Sequence, residues 1–295
     1  MRFGLVGTGH WAATAHAPAL RSTPGVEFVG VWGRNRAAAA DLAAASQVVA
    51  FPDFDSLLAA CDAVAFSVPP DVQAPLAQRA AAAGRHLLLE KPVALTVADA
   101  DALVDAVDRT GVRSLVFFTG HFQPERQQWL ATASRTRWTA GSARWVTSAL
   151  SRPGSPYAGS RWRQRHGALW DVGPHVLSLL LPVLGPVTAV TARRGQGDLV
   201  HVLLAHETGA TSSVTLTIQA PAGFELIDLT LWGPAGATTM PRSRVVPVTA
   251  LATAVRRLAD EVTAGGPPHQ CDVRFGAQVT SVLARIEAAL AQWSA

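Results

Sequence analysis

GLVGTGHWA, residues 4–12, reads as a short apolar strand that runs into a glycine turn and then toward a helix. Gly7, Gly9 and Ala12 occupy the three small positions of the pattern G-x-G-x-x-G/A. Each has a physical task. Gly7 makes the tight turn, Gly9 lets the backbone approach a pyrophosphate, and Ala12 lets helix and strand pack closely. The N-terminus of the next helix directs N–H groups and partial positive charge at a phosphate. A glycine turn alone is common, and a purely structural βα turn is the competing reading, so the weight comes from the pattern of the next hundred residues.

That pattern is an alternation of strand and helix. Apolar runs at 3–6, 26–32, 63–68, 86–89 and 114–118 are separated by segments of helical character such as 72–83 and 97–108. Strands apolar on both faces imply a parallel sheet covered by helices, with ligands at the carboxyl ends of the strands. The expected fold class is therefore an α/β Rossmann-type doubly wound sheet over residues 1–119. A second, α+β domain with a largely antiparallel open sheet is expected over 120–295, its C-terminal helix free to pack back on the first. In that second half, β-rich stretches fall at 143–149, 187–192, 199–205, 212–219 and 225–232, with a hairpin around Thr208-Gly209. The C-terminal stripe Val279, Val282, Ile286 and Leu290 reads as core packing.

The strand ends nominate the dinucleotide contacts. They are Gly7, Thr8, Gly9, His10 and Trp11 at the first end, Gly33, Arg34 and Asn35 at the second, and Ser67, Val68, Pro69 and Pro70 at the third. Glu90 and Lys91 complete the set at the fourth. An NAD site ordinarily places an acid at the second strand end for the ribose hydroxyls, whereas arginine suits a 2′-phosphate. Arg34, Asn35 and Arg36 stand there with no acid, which favours NADP(H), NAD(H) being the alternative.

Lys91 is the only lysine among 25 lysine and arginine residues. A chain that supplies surface cations as arginine has a chemical reason to keep one ammonium. Lysine is compact, and burial can tune its protonation; a guanidinium stays charged. The plain alternative is a strand-end lysine whose stem is buried and whose head reaches water.

Together GLVGTGHWA, DAVAFSVPP (62–70) and EKPVALT (90–96) resemble the Gfo/Idh/MocA family of oxidoreductases over the first 120 residues. The resemblance implies that Lys91 stands beside the nicotinamide and the substrate oxygen, and that the peptide before Pro92 is cis. Farther on, DVGPH (171–175) resembles the family's second signature and implies that Asp171 and His175 join Lys91 in catalysis. On physical grounds Pro174 suits a helix start, which places Asp171 ahead of that helix and His175 in its first turn. The helix terminus disfavours a charged imidazole while Asp171, if hydrogen-bonded to it, favours one. Ser178 replaces an Asp that many relatives carry, and RHGALW replaces a more glycine-rich run. Trp162 and Arg163 resemble a Trp-Arg pair of the family; with His121, Gln123 and Tyr157 they are candidates for substrate contact, packing or a surface loop being the alternative.

Composition excludes several classes. The chain of 295 residues is 49% hydrophobic and 16% charged with net charge +4, and its arginines are scattered, so neither nucleic acid nor membrane is an expected partner. No apolar run of membrane-spanning length is read in the sequence. Cys61 and Cys271 are too few and too far apart for a disulfide framework or a metal site, which fits a reducing cytoplasm. The expected activity is NADP(H)-dependent hydride transfer at a hydroxyl or carbonyl carbon of a sugar, cyclitol or related small molecule. The resemblance further implies a homo-oligomer formed through the open sheet. Rival readings are a non-catalytic dinucleotide-binding regulator or scaffold and a redox-assisted lyase or glycosidase. A short-chain dehydrogenase is excluded because its Tyr-x-x-x-Lys pair cannot be built from Tyr157 and Lys91.

Overall fold

The computed structural model describes residues 1–292, which divide into two compact units. One comprises Met1–Phe122 and Val245–Gln278; the other comprises Gln123–Arg244 and the chain from Val279 onward. The division at 119/120 read from the sequence differs from this, because residues 245–278 return to the first unit.

The first unit is built on six strands, β1 (Arg2–Val6), β2 (Glu27–Trp32), β3 (Val49–Ala50), β4 (Ala63–Phe66), β5 (His86–Leu89) and β6 (Ser114–Val116). All pair in parallel, in the order β3-β2-β1-β4-β5-β6. Such a sheet requires crossovers, supplied by α1 (Ala17–Ser22), α2 (Arg36–Ser46), α3 (Phe54–Ala60), α4 (Pro70–Ala82) and α5 (Val97–Thr110). Local chemistry sets their starts: Asn35, Asp53 and Thr96 accept from Ala38 N, Ser56 N and Asp99 N respectively. Every residue of β4 is buried, as are Leu87, Leu88 and Leu89 of β5, so both faces of the central sheet are covered.

The returning segment carries α9 (Pro247–Ala264) and the start of α10 (Val273–Ala291). It docks through hydrogen bonds to β6: Val116 N donates to Cys271 O at 2.7 Å and Val273 N to the Ser114 hydroxyl Oγ at 3.1 Å. His269 stacks on Phe122 with centroids 5.7 Å apart.

The second unit holds α6 (Pro124–Ala133), β7 (Ala140–Val146), α7 (Arg161–Asp171), α8 (Gly173–Leu184), β8 (Val187–Arg194), β9 (Val200–His206), β10 (Thr211–Thr217), β11 (Leu226–Gly233) and β12 (Gly236–Thr239). Its sheet runs β12-β11-β7-β10-β9-β8; only the β7–β10 pair is parallel. The hairpin at Thr208-Gly209 forms between β9 and β10, with Gly209 at φ +83°. Val200, Val202 and Leu204 of β9 are buried while His201 and Leu203 are exposed. The opposite, open face carries cross-strand pairs: Arg144 with Asp228, Ser142 with Ser213, and Thr230 with Thr239. The stripe Val279, Val282, Ile286 and Leu290 of α10 is buried, as its spacing requires.

Two features depart from the sequence reading. Residues 161–171, which include Trp162 and Arg163 with a surface loop as one of their alternative readings, form α7. The stretch Arg161–Leu184 also has the length and composition of a membrane span, with mean hydropathy 1.4, but 78% of that window is buried inside the protein. Leu180 and Leu184 of α8 pack over Gly141 of β7, so the sheet absorbs these apolar side chains.

Three histidines make stability depend on pH. Burial, followed by the Arg257 and His121 charges, pushes His269 down to about 4 from an ordinary 6.5. Burial likewise lowers His86 and His206. The unfolded chain therefore takes up protons below 6.5 that the folded chain refuses until about 4, so folding stability is full above 6.5 and falls across that window. Burial raises Glu261 and opposes this in part. Thermal melts should show Tm dropping from pH 7 to pH 5, and a His269→Gln variant should have a shallower slope; equal slopes would show that His269 does not contribute.

Candidate active site

The site candidates of the first unit converge on the carboxyl edge of its sheet. Gly7 N donates to Trp32 O at 2.9 Å and Ser67 N donates to Val6 O at 2.8 Å, joining the ends of β1, β2 and β4. Gly7 has φ +128°, and a Cβ there would lie 2.3 Å from Ser67 O. A Cβ at Gly33 would lie 2.6 Å from the Thr8 methyl. A Cβ at Gly9 would meet nothing within 4 Å. The turn is thus closed on its protein side and open at Gly9, the shape that a pyrophosphate approaching the backbone requires. These residues fit a dinucleotide. Gly7→Ala should cost roughly 2 kcal/mol or more of folding stability, since a left-handed backbone and a fixed carbonyl both oppose it. Gly9→Ala should leave the denaturation midpoint unchanged and weaken dinucleotide binding in calorimetry; unaltered affinity would place the pyrophosphate elsewhere.

After β2, Arg34 and Asn35 are exposed. Asn35 Oδ1 is engaged as the α2 cap, so the group this side chain offers a ligand is its amide N–H₂. After β4, Ser67, Val68 and Pro69 are half-buried and Pro70 opens α4. After β5 come half-buried Glu90 and Lys91, and the Lys91–Pro92 peptide is cis.

Glu90 is held from two sides. Trp11 Nε1 donates to Glu90 Oε1 at 2.8 Å, and His16 Nε2 lies 2.9 Å from the same oxygen. Gln73, fully buried on α4, receives Glu90 N on its Oε1 at 2.8 Å. Its Nε2 donates to Glu90 O at 2.8 Å and to Pro92 O and Val93 O at 3.3 Å each. A side-chain amide therefore extends the β5 hydrogen-bond pattern past the strand end and around Lys91. Neither Gln73 nor His16 was identified from the sequence.

In the second unit, Asp171 is the last residue of α7 and His175 lies in the first turn of α8, where its N donates to Val172 O at 3.1 Å. The α7–α8 junction falls at Val172, while α7 itself is broken at Gly167, whose φ +61° and ψ −159° belong to a region that glycine alone adopts readily; Arg163 and Asp171 lie on opposite sides of that break. Asp171 is buried and accepts from Arg163 Nε at 3.0 Å. The Arg163 guanidinium lies 4.5 Å from the Tyr157 ring centroid and 4.7 Å from that of Trp162. Two aromatic faces thus brace the cation that holds Asp171, a job not foreseen for the Trp-Arg pair. Trp145, on β7, stacks on the His175 ring with centroids 5.0 Å apart and planes 12° from parallel. His121 is buried between the rings of Phe118 and Phe275, each centroid 6.2 Å away, and buried Gln123 stands at the N-cap of α6.

Comparison with known proteins accords with this geometry. Residues 1–118 match the family model described as an oxidoreductase family with an NAD-binding Rossmann fold, and 137–238 match the GFO/IDH/MocA C-terminal domain. The chain belongs to the Gfo/Idh/MocA family of oxidoreductases. It is 30% identical over 260 residues to a dTDP-3,4-didehydro-2,6-dideoxy-alpha-D-glucose 3-reductase of Streptomyces antibioticus, covering 84% of this chain and 78% of that one. Its fold matches GenD2 from gentamicin A biosynthesis, solved with NAD, at TM-score 0.86 and 22% identity over 99% of this chain and 94% of that one. It also matches KijD10, a 3-ketoreductase of Actinomadura kijaniata solved with TDP-benzene and NADP, at TM-score 0.78 and 18% identity over 98% of each chain. The family is one of nicotinamide dinucleotide enzymes, and solved relatives hold either NAD or NADP.

Proposed function

We propose that this oxidoreductase transfers hydride between NADP(H) and a hydroxyl or keto carbon of a sugar or cyclitol, sugars linked to a nucleotide included. The observation that carries this reading is the shared rim of the first unit, where Lys91 follows the strand end next to the one that closes on the glycine turn. The 3-reductase relative supports the substrate class. Exposed Arg34 and the Asn35 amide, with no acid beside them, support the 2′-phosphate.

Nicotinamide supplies the hydride chemistry when bound. The protein manages the proton and the charge. The Lys91 ammonium stabilises the oxygen that becomes alkoxide-like as hydride leaves or arrives. His175 takes the hydroxyl proton on oxidation and returns it on reduction. Asp171, braced by Arg163, orients the His175 ring, and the Trp145 face fixes its plane.

A screen of dTDP- and UDP-linked sugars, free sugars and cyclitols with both dinucleotides, read by reduced-nicotinamide absorbance, tests the reading. Turnover should prefer NADP(H), and Lys91→Met should lower kcat by at least about 100-fold while leaving dinucleotide affinity unchanged. Dinucleotide binding without turnover across the whole panel would instead favour a regulator or scaffold. Turnover with no net change in the dinucleotide would favour the lyase or glycosidase.

We further infer a homo-oligomer formed through the open sheet face, where Leu203 and Trp232 are 60% and 42% exposed among small polar residues. Light scattering should find the wild type larger than a Leu203→Arg variant; a wild-type monomer would remove this surface from the reading. Two buried free cysteines suit a reducing cytoplasm, which fractionation of the native host would test.

A further inference from the structure

The helix behind the glycine turn begins irregularly. Residues Ala12–His16 form a π-turn, closed by Ala17 N donating to Ala12 O. In a regular α-helix residues five apart point about 140° away from each other. Widening one turn to five-residue closure brings them nearly onto one side, and π-bulges recur at functional sites. Here the pair five apart is Trp11 and His16, and both reach Glu90 Oε1. The π-turn thus gives one carboxylate oxygen two partners from one helix.

The arrangement has a cost. His16 is completely buried, and its Nδ1 has no hydrogen-bond partner. A buried polar atom left unsatisfied is unfavourable, so packing alone would be better served by an apolar side chain at this position. What His16 supplies is the link. Glu90 is the residue before Lys91, and its backbone is fixed by Gln73 through both N and O. With backbone and carboxylate both held, Glu90 has little freedom, and a shift of the turn helix must be passed to the strand end that carries Lys91.

We infer that Trp11 and His16 are positioning residues that couple occupancy of the glycine turn to the placement of Lys91. A pyrophosphate bound at the helix N-terminus fixes the helix register. Through the indole and imidazole nitrogens, Glu90 is fixed with it, and the Lys91 ammonium becomes confined. Dinucleotide binding thereby prepares the amine before substrate arrives. The inference concerns the same site as the proposed activity and takes its importance from that reading, but it can be tested without turnover.

The sequence allows a direct reporter. Lys91 is the only lysine, so reductive methylation of the full chain with 13C-formaldehyde labels only Lys91 and the Met1 amine, the second serving as internal reference. ADP is the probe, because it carries the diphosphate and lacks nicotinamide. Saturating ADP, verified by calorimetry, should slow Lys91 labelling several-fold and shift its dimethylamine signal in the wild type, leaving Met1 unchanged. Trp11→Phe and His16→Ala, each brought to the same ADP occupancy by calorimetry, should lose most of both effects, and His16→Gln, whose amide N–H can reach Glu90, should restore part of them. Undiminished effects in Trp11→Phe and His16→Ala would mean that the diphosphate acts on Lys91 directly, overturning the coupling; so would a wild type that binds ADP with no response at Lys91. If His16→Ala does not fold by circular dichroism, Trp11→Phe, which removes a single donor, decides. Failure of ADP to bind would overturn the coupling and the dinucleotide site together. A coupling present in a protein whose Lys91→Met variant turns over normally would leave the coupling standing and remove the lysine from catalysis.

Discussion

The first unit depends on a close approach at the point where its strand order reverses. β1 lies between β2 and β4, and the chain leaves β1 through Gly7 with the Ser67 carbonyl where a side chain would otherwise stand. A residue with a Cβ would push the β1 and β4 ends apart. Glycine keeps them together, and the next stretch of backbone then faces the crevice that opens at such a reversal. Gly9, with no neighbour near its absent Cβ, is not required by packing. The same sequence pattern thus contains one glycine imposed by the fold and one that packing leaves free, open to the ligand of the proposed function.

The sequence was legible wherever local chemistry decides structure. Parallel strands buried on both faces leave uninterrupted apolar runs, so β1, β2, β4 and β5 were readable, and the strand-end motifs marked the rim. Strands β3 and β12 were not, being two and four residues long with no buried apolar run. Residues 161–167 offered mainly polar side chains and a glycine with no apolar stripe, and they stay half-buried or exposed in the helix; burial begins at Ala168. Gln73 looked like an ordinary helix residue because its value lies in meeting the backbone of a segment 17 residues away. The return of 245–278 to the first unit rests on a backbone bond and a Ser114 hydroxyl bond at β6 and on the buried apolar face of α9, partners that are far away in sequence.

The second unit shows how a signature can conserve a geometry by indirect support. The sequence placed Asp171 beside His175 at a helix start, and the structure adds Arg163, between two aromatic rings, holding the Asp171 carboxylate. A buried carboxylate without a cation would be costly, and an unbraced arginine would sample several rotamers. The rings reduce that freedom. Gly167 breaks α7 between Arg163 and Asp171, so the cation and the carboxylate it holds come from the two sides of one sharp turn. The missing signals were the aromatic faces, Tyr157, Trp162 and Trp145, whose roles depend on contacts across the fold.

Composition first set Lys91 apart, and the structure gives that oddity a physical setting. The chain replaces lysine by arginine everywhere that a cation is required for charge alone, yet at 91 it surrounds a lysine with fixed neighbours: Gln73 on the flanking backbone, Trp11 and His16 on the preceding carboxylate. A guanidinium would be broader, permanently charged and demanding of planar partners. An ammonium on a mobile stem needs the opposite treatment, in which the backbone beneath it is held so that the stem's own freedom is the only freedom left. The buried, half-satisfied His16 is the local sacrifice that such holding requires. On the proposed role of Lys91, stability is given up here where placement of its ammonium is gained.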